Sequence, residues 1–166
     1  MQTWCGGLGM MLAFDPDGKA FPCIRYMESS LGGDQPPVIV GDCWNGIYNT
    51  PETIQIYKDL TSVTRKTQST TACFNCPIAS GCAYCAAWNY QVTGKFNSRV
   101  TSICPMHKAR VLANVYYWNK KYQMEGTNKV FDMYLDENSA LNFISKDEYH
   151  MLLDLVNTQK EKCGLL

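Results

Sequence analysis

The chain has 166 residues, enough for one domain or one modest domain with a tail, and its 46% hydrophobic and 12% aromatic content is that of a globular protein. Lys plus Arg and Asp plus Glu stand at 15 each, and this neutrality argues against the basic excess that grips nucleic acid or an anionic membrane surface. No apolar run is long enough to span a bilayer, and nine cysteines with no secretory leader favour metal or cluster ligation in the cytoplasm over disulfides.

In chain order, the apolar run from Met10, the turn Pro16-Asp17-Gly18 and the arm Lys19–Cys23 predict a β-hairpin. Folding its arms together brings Cys5 towards Cys23, so the two are candidate joint ligands. Gly6, Gly7 and Gly9 either let the backbone wrap a bulky inorganic group or mark a flexible chain start. From Ile24 to Val40 the turn formers predict a loop, with a brief strand at Val38–Val40. A second turn follows Cys43, at Asn45-Gly46. Thr50 as cap, Pro51 at the first position and Glu52 in the first turn predict a helix to about Val63, with Ile54, Tyr57 and Leu60 as its apolar stripe. The polar run Thr64–Thr71 leads out of this helix and into the cysteines. A short helix is expected over Ala83–Trp88 and a turn over Gln91–Lys95.

A long helix is expected over Met106–Met124, with Ala109, Leu112, Ala113, Tyr116, Tyr117 and Lys120 near one face, Val111, Val115 and Trp118 broadening the apolar sector, and Gly126 as its stop. Ser145 and Glu148 form a capping box that opens a last amphipathic helix with Leu152, Leu155 and Val156. Cys163 falls in the tail as a free thiol. His107 and His150 read as polar helix residues, Asp15 and Asp17 as turn residues, and Arg25 with Glu28 as an ion pair or a solvated face.

The densest chemistry lies in Cys73-x2-Cys76-x5-Cys82-x2-Cys85, four thiols within thirteen residues. Structural zinc is the commonest use of paired Cys-x2-Cys units, but those pairs are usually set farther apart. Iron–sulfur ligation uses closely spaced cysteines completed by a distant cysteine followed by proline, which Cys104-Pro105 supplies. Cys5, Cys23 and one of the central four then remain for a second cluster. Disulfides rank third.

Taken together, Cys5-x12-Gly18-x4-Cys23, the central run and Cys104 resemble the SPASM domain. That domain is the C-terminal auxiliary-cluster module of radical S-adenosylmethionine enzymes that modify ribosomally made peptides. The family's last central interval is x3, where this chain has x2. The resemblance implies an α+β fold with an N-terminal hairpin, cysteine-rich ligand loops and packed helices. It spans residues 5–104, and we expect a module over 1–125 with a helical extension over 126–166.

For ligands, the resemblance implies that Cys73, Cys76, Cys82 and Cys104 hold one 4Fe-4S cluster. Cys5, Cys23 and Cys85 hold the other, with Cys43 as candidate fourth ligand and an open iron as the alternative. The Cys-x3-Cys-x2-Cys triplet that binds the S-adenosylmethionine-cleaving cluster does not occur in the sequence. The chain is therefore expected to act with a radical core domain as its partner, not to be catalytic alone. Trp4-Cys5-Gly-Gly, the run Cys23–Ser30 and His107-Lys-Ala-Arg110 look similar to maturases of cysteine-containing precursor peptides, which form thioether or related crosslinks. The competing expectations are a structural zinc module for protein interaction and a stand-alone ferredoxin-like electron carrier.

Overall fold

A computed structural model describes residues 5–82 and 84–166. It is a mixed α and β structure with one antiparallel sheet. Strands β1 (Ala13–Phe14), β2 (Lys19–Phe21), β3 (Gly41–Asp42) and β4 (Gly46–Ile47) lie in sequence order. The expected hairpin is present: Ala13 pairs with Phe21, and the backbone of Gly18 donates to the Asp15 carbonyl at 3.0 Å. Asp15 acts as the turn residue expected, accepting the Lys19 N–H on its carboxylate at 2.9 Å. The strand expected at Val38–Val40 begins instead at Gly41. Val40 still donates to Ala20 at 2.8 Å, but regular pairing starts only at Ala20 opposite Gly41 and Lys19 opposite Asp42.

The helices are α1 (Glu28–Leu31), α2 (Pro51–Ser62), α3 (Arg65–Gln68), α4 (Thr71–Phe74), α5 (Ala86–Thr93), α6 (Cys104–Glu125), α7 (Glu137–Ala140) and α8 (Lys146–Lys162). Thr50 caps α2 as expected, and Thr53 replies across a capping box. The stripe assigned to α2 is displaced. Leu60 and Val63 are fully buried and Ile56 packs beside them, whereas Ile54 and Tyr57 are exposed. The polar run after α2 leads through two single-turn helices, nucleated by Thr64 and Thr70 as caps. Helix α5 continues to Thr93 and stops at Gly94, whose φ of 71° ends it in the left-handed conformation. The expected helix start at Ala83, and Trp4 ahead of Cys5, lie outside the described residues.

The chain forms two compact units. The first runs to Asn75 and resumes over 84–101; the second comprises Cys76–Cys82 and Ser102–Leu166. This division falls at Thr101/Ser102, before α6, which packs with α8; the expected module and extension divide at 125/126.

In the first unit, Leu8, Phe21, Tyr26, Val40, Leu60 and Val63 form the core beneath the sheet and α2. Buried Asn89 stitches this unit's last segment to α5. Its amide accepts from Val100 N–H at 3.1 Å and donates to the Phe96 carbonyl and the Gln68 side chain.

In the second unit, Ile78, Leu112, Val115, Leu135, Leu152 and Val156 form a separate core. On α6 the expected Leu112 and Val115 are buried, whereas other residues of the expected face are not. Ala109, Ala113, Tyr116 and Tyr117 are exposed, and His107, Leu112, Val115 and Asn119 are buried. Ser145 and Glu148 make the reciprocal cap of α8, and the carboxylate of Glu148 is held below its ordinary range by the Ser145 N–H and hydroxyl.

Asn119 clamps the segment that follows α6 by accepting from Phe131 N–H at 3.0 Å and donating to its carbonyl at 2.8 Å. Gln159 donates to the Lys129 carbonyl, and Lys160 pairs with Asp132 at 2.8 Å. Replacing Asn119 with alanine strands the part-buried N–H and carbonyl of Phe131. We expect a loss of about 3 kcal/mol in equilibrium urea unfolding, since each orphaned buried group costs about 1–3 kcal/mol.

Candidate cluster-binding thiols

All nine cysteines are unbridged. Their placement follows from local turns. Cys5 opens a tight turn in which Leu8 N–H donates to the Cys5 carbonyl at 3.2 Å and Met10 N–H donates to Gly6 at 2.8 Å. Leu8, 2% exposed, anchors that turn in the core. Cys23 lies beyond β2 and opens the single 3-10 turn Ile24–Tyr26, in which its carbonyl accepts from Tyr26 N–H at 3.1 Å.

The two cysteines meet at Gly7. A Cβ placed on Gly7 would lie 3.2 Å from the Cys23 sulfur and 3.6 Å from the Cys5 sulfur. Both thiols therefore border one small space that the missing side chain leaves open. Glycine is required there for close approach rather than for an unusual backbone angle.

Cys85 occupies the cap position of α5, and its side chain does not bond to the helix's free N–H groups. It packs on the same core as Cys23 and Tyr26. Burial raises the pKa of the Cys23 thiol above its ordinary value. The charges that Cys85 and Cys5 would carry raise it further, while backbone N–H groups of Arg25 and Tyr26 pull it down. Cys5, Cys23 and Cys85 are thus electrostatic neighbours.

Tyr26 closes the group. Its ring sits at 5.7 Å edge-on to Phe96 and 6.1 Å from Tyr90, and it is 1% exposed. Its hydroxyl has no hydrogen-bond partner. Burial first, then the charges of Cys23, Cys85 and Cys5, then Tyr48, push its pKa far above the ordinary phenol range. The phenol is therefore neutral and keeps its proton.

Cys43 is placed elsewhere. It is exposed in the turn after β3, where its N–H donates to the Gly18 carbonyl at 2.9 Å. The register sets Gly18 and Cys43 at the turn end of β2, whereas Cys23 follows its other end. Five residues of extended chain span roughly 15 Å, so the structure does not bring Cys43 to the other three thiols. Gly18 has its own reason to be glycine. Its φ is 74°, and a Cβ there would meet the Cys43 sulfur and the Trp44 ring at 2.6 Å.

Cys73 lies on α4 and donates its N–H to the Thr70 cap hydroxyl at 3.2 Å; it belongs to the first unit. Cys76, Cys82 and Cys104 belong to the second. There Cys76 and Cys82 bound a loop pinned by buried Ile78 and by Arg110, which donates to the Gly81 carbonyl at 3.0 Å from α6. Cys104 is the first residue of that helix, followed by Pro105 where a lost N–H costs nothing.

Among the described residues, no three His, Cys, Asp or Glu side chains are gathered around the position of a single ion. Thiolates on a four-iron cluster occupy separate corners of a larger body and stand farther apart than the ligands of one ion. The Cys5, Cys23 and Cys85 group suits that body by three features: soft donors, a cradle kept open by Gly7, and an orphaned hydroxyl beside them.

Two participants were not legible in the sequence as site residues. Tyr26 belongs to a stretch that reads as a loop. Arg25, expected in an ion pair or on a solvated face, lies over the Trp88 ring at 5.9 Å. Among the described residues no helix is long and apolar enough to cross a membrane. No family model, curated protein or solved structure matches the chain.

Proposed function

We propose that the chain is a SPASM-type auxiliary-cluster module that works with a radical S-adenosylmethionine core in the cytoplasm on a cysteine-containing precursor peptide. The observation that supports this reading most is the meeting of Cys5 and Cys23 across Gly7 with Cys85 as their electrostatic neighbour. In this reading the three thiols hold one 4Fe-4S cluster. Cys73, Cys76, Cys82 and Cys104 hold the other. The clusters supply soft Lewis-acid iron and a one-electron couple, used to bind a substrate thiolate or to move an electron.

The chain's own residues have narrower tasks. The turn at Leu8 sets the Cys5 sulfur, and the N–H groups of Arg25 and Tyr26 offset thiolate charge on Cys23. The aromatic wall of Tyr26, Tyr90 and Phe96 keeps water from the inner side. Cys43 has no ligand role in this proposal, which leaves three protein thiolates on the hairpin-side cluster.

Anaerobic expression followed by iron and acid-labile sulfide analysis tests the reading. About eight irons per chain, with matching sulfide, is the expected result for two four-iron clusters. Zinc bound without sulfide would overturn it in favour of a structural zinc module.

A further inference from the structure

Resting on that proposal, we infer that Tyr26 is a positioning residue whose hydroxyl donates a hydrogen bond to the cluster held by Cys5, Cys23 and Cys85. A buried hydroxyl without a partner is rare in a folded protein, because leaving it so costs most of a desolvation penalty. Tyr26 is the largest of the fully buried side chains, and its hydroxyl is in that condition. Its ring packs against Tyr90 and Phe96, at 6.1 and 5.7 Å between centroids. Cys23 and Cys85 pack in the same core as Tyr26, and Cys23, Cys85, Cys5 and Tyr48 are its electrostatic neighbours. Thiolate and sulfide sulfurs are acceptors, and a neutral phenol is a donor, so the missing partner is supplied when a cluster is present.

The direction of the effect follows from charge. A thiolate-ligated cluster gains negative charge on reduction, and a fixed donor stabilises the more negative state more strongly. Tyr26 therefore holds the potential of this cluster higher than the thiolates alone would set it. Tyr48 is the natural comparison. Its hydroxyl is also unpartnered, but its environment is dominated by burial and by Tyr57, 4.9 Å away, with no thiol among its neighbours in charge.

The test is a redox titration of the anaerobically prepared full chain, followed by paramagnetic resonance and visible absorption. The wave that disappears in Cys23→Ala is taken as the hairpin-side cluster. Tyr26→Phe keeps the ring and should keep iron and sulfide at wild-type levels. Its hairpin-side wave should move negative, with the reduced-to-oxidised ratio at fixed potential falling about tenfold, which is about 59 mV for one electron. Tyr48→Phe should leave that wave in place.

An unmoved potential in Tyr26→Phe with full iron overturns the inference, as does a shift produced by Tyr48→Phe alone. Should Tyr26→Phe fold poorly, a fluorinated tyrosine at position 26 keeps the shape and donates more strongly. It must then move the wave positive, and a null or negative shift overturns the inference. Wild-type protein that takes up no iron and sulfide instead defeats the parent proposal, so the two failures are told apart.

Discussion

Cys85→Ala should remove about half of the iron and sulfide and spare the rest. Cys85 is the only member of the central run that shares a core with Cys23 and Tyr26. A cluster that loses one of three protein thiolates has two left, too few to hold it, whereas the other keeps all its ligands. Expected, then, are about four irons in place of about eight and the loss of one of two waves in a redox titration. Retention of full iron would show that Cys85 is not a ligand. Loss of all iron would show that the central run works as one site. Folding is not at issue, because Cys85 is part-exposed and exchanging its thiol for hydrogen leaves only a small defect.

Gly7→Val should abolish the same cluster without touching Cys85. A Cβ at Gly7 already comes within 3.2 Å of the Cys23 sulfur. Alanine asks the sulfur to give by a few tenths of an ångström, while valine adds two methyl groups in the space that both thiols border. We expect Gly7→Ala to lower hairpin-side iron partially and Gly7→Val to remove it, with the other cluster unaffected in both. Circular dichroism should show wild-type helix content throughout, since Gly7 lies outside every helix. Equal iron in wild type and Gly7→Val would mean that the space between Cys5 and Cys23 holds nothing.

Much of the frame was legible because its signals are local. A Pro-Asp-Gly turn, Thr50 before Pro51, Gly126 after a long apolar stretch and the Ser145–Glu148 box each specify a few consecutive backbone angles. The hairpin, the caps and the helix stops accordingly lie where expected. Which face of a helix is buried depends on what packs against it, and there the sequence misled. On α2 the exposed Tyr57 leans on Gly9 and Tyr48, and on α6 Asn119 is buried because Phe131 needs both its peptide groups satisfied. No periodicity announces either.

The site divides in the same way. Turn chemistry was enough to foresee that Cys5 and Cys23 approach each other. The same pattern offered Cys43 because it was the one cysteine left over, and only strand register reveals that it sits beside Gly18. Tyr26 was invisible because an orphaned hydroxyl is a property of three dimensions.

The chain passes from the first unit to the second after Asn75, returns after Cys82, and leaves again after Thr101. No single truncation can therefore free either unit from residues of the other. Removing everything beyond Thr101 leaves the Cys76–Cys82 loop without α6 and α8, so Ile78 loses the core that buries it. During synthesis the order is equally constrained: that loop emerges before the helices that will hold it. Its thiols must wait, ahead of any cluster, for more than twenty further residues to be made.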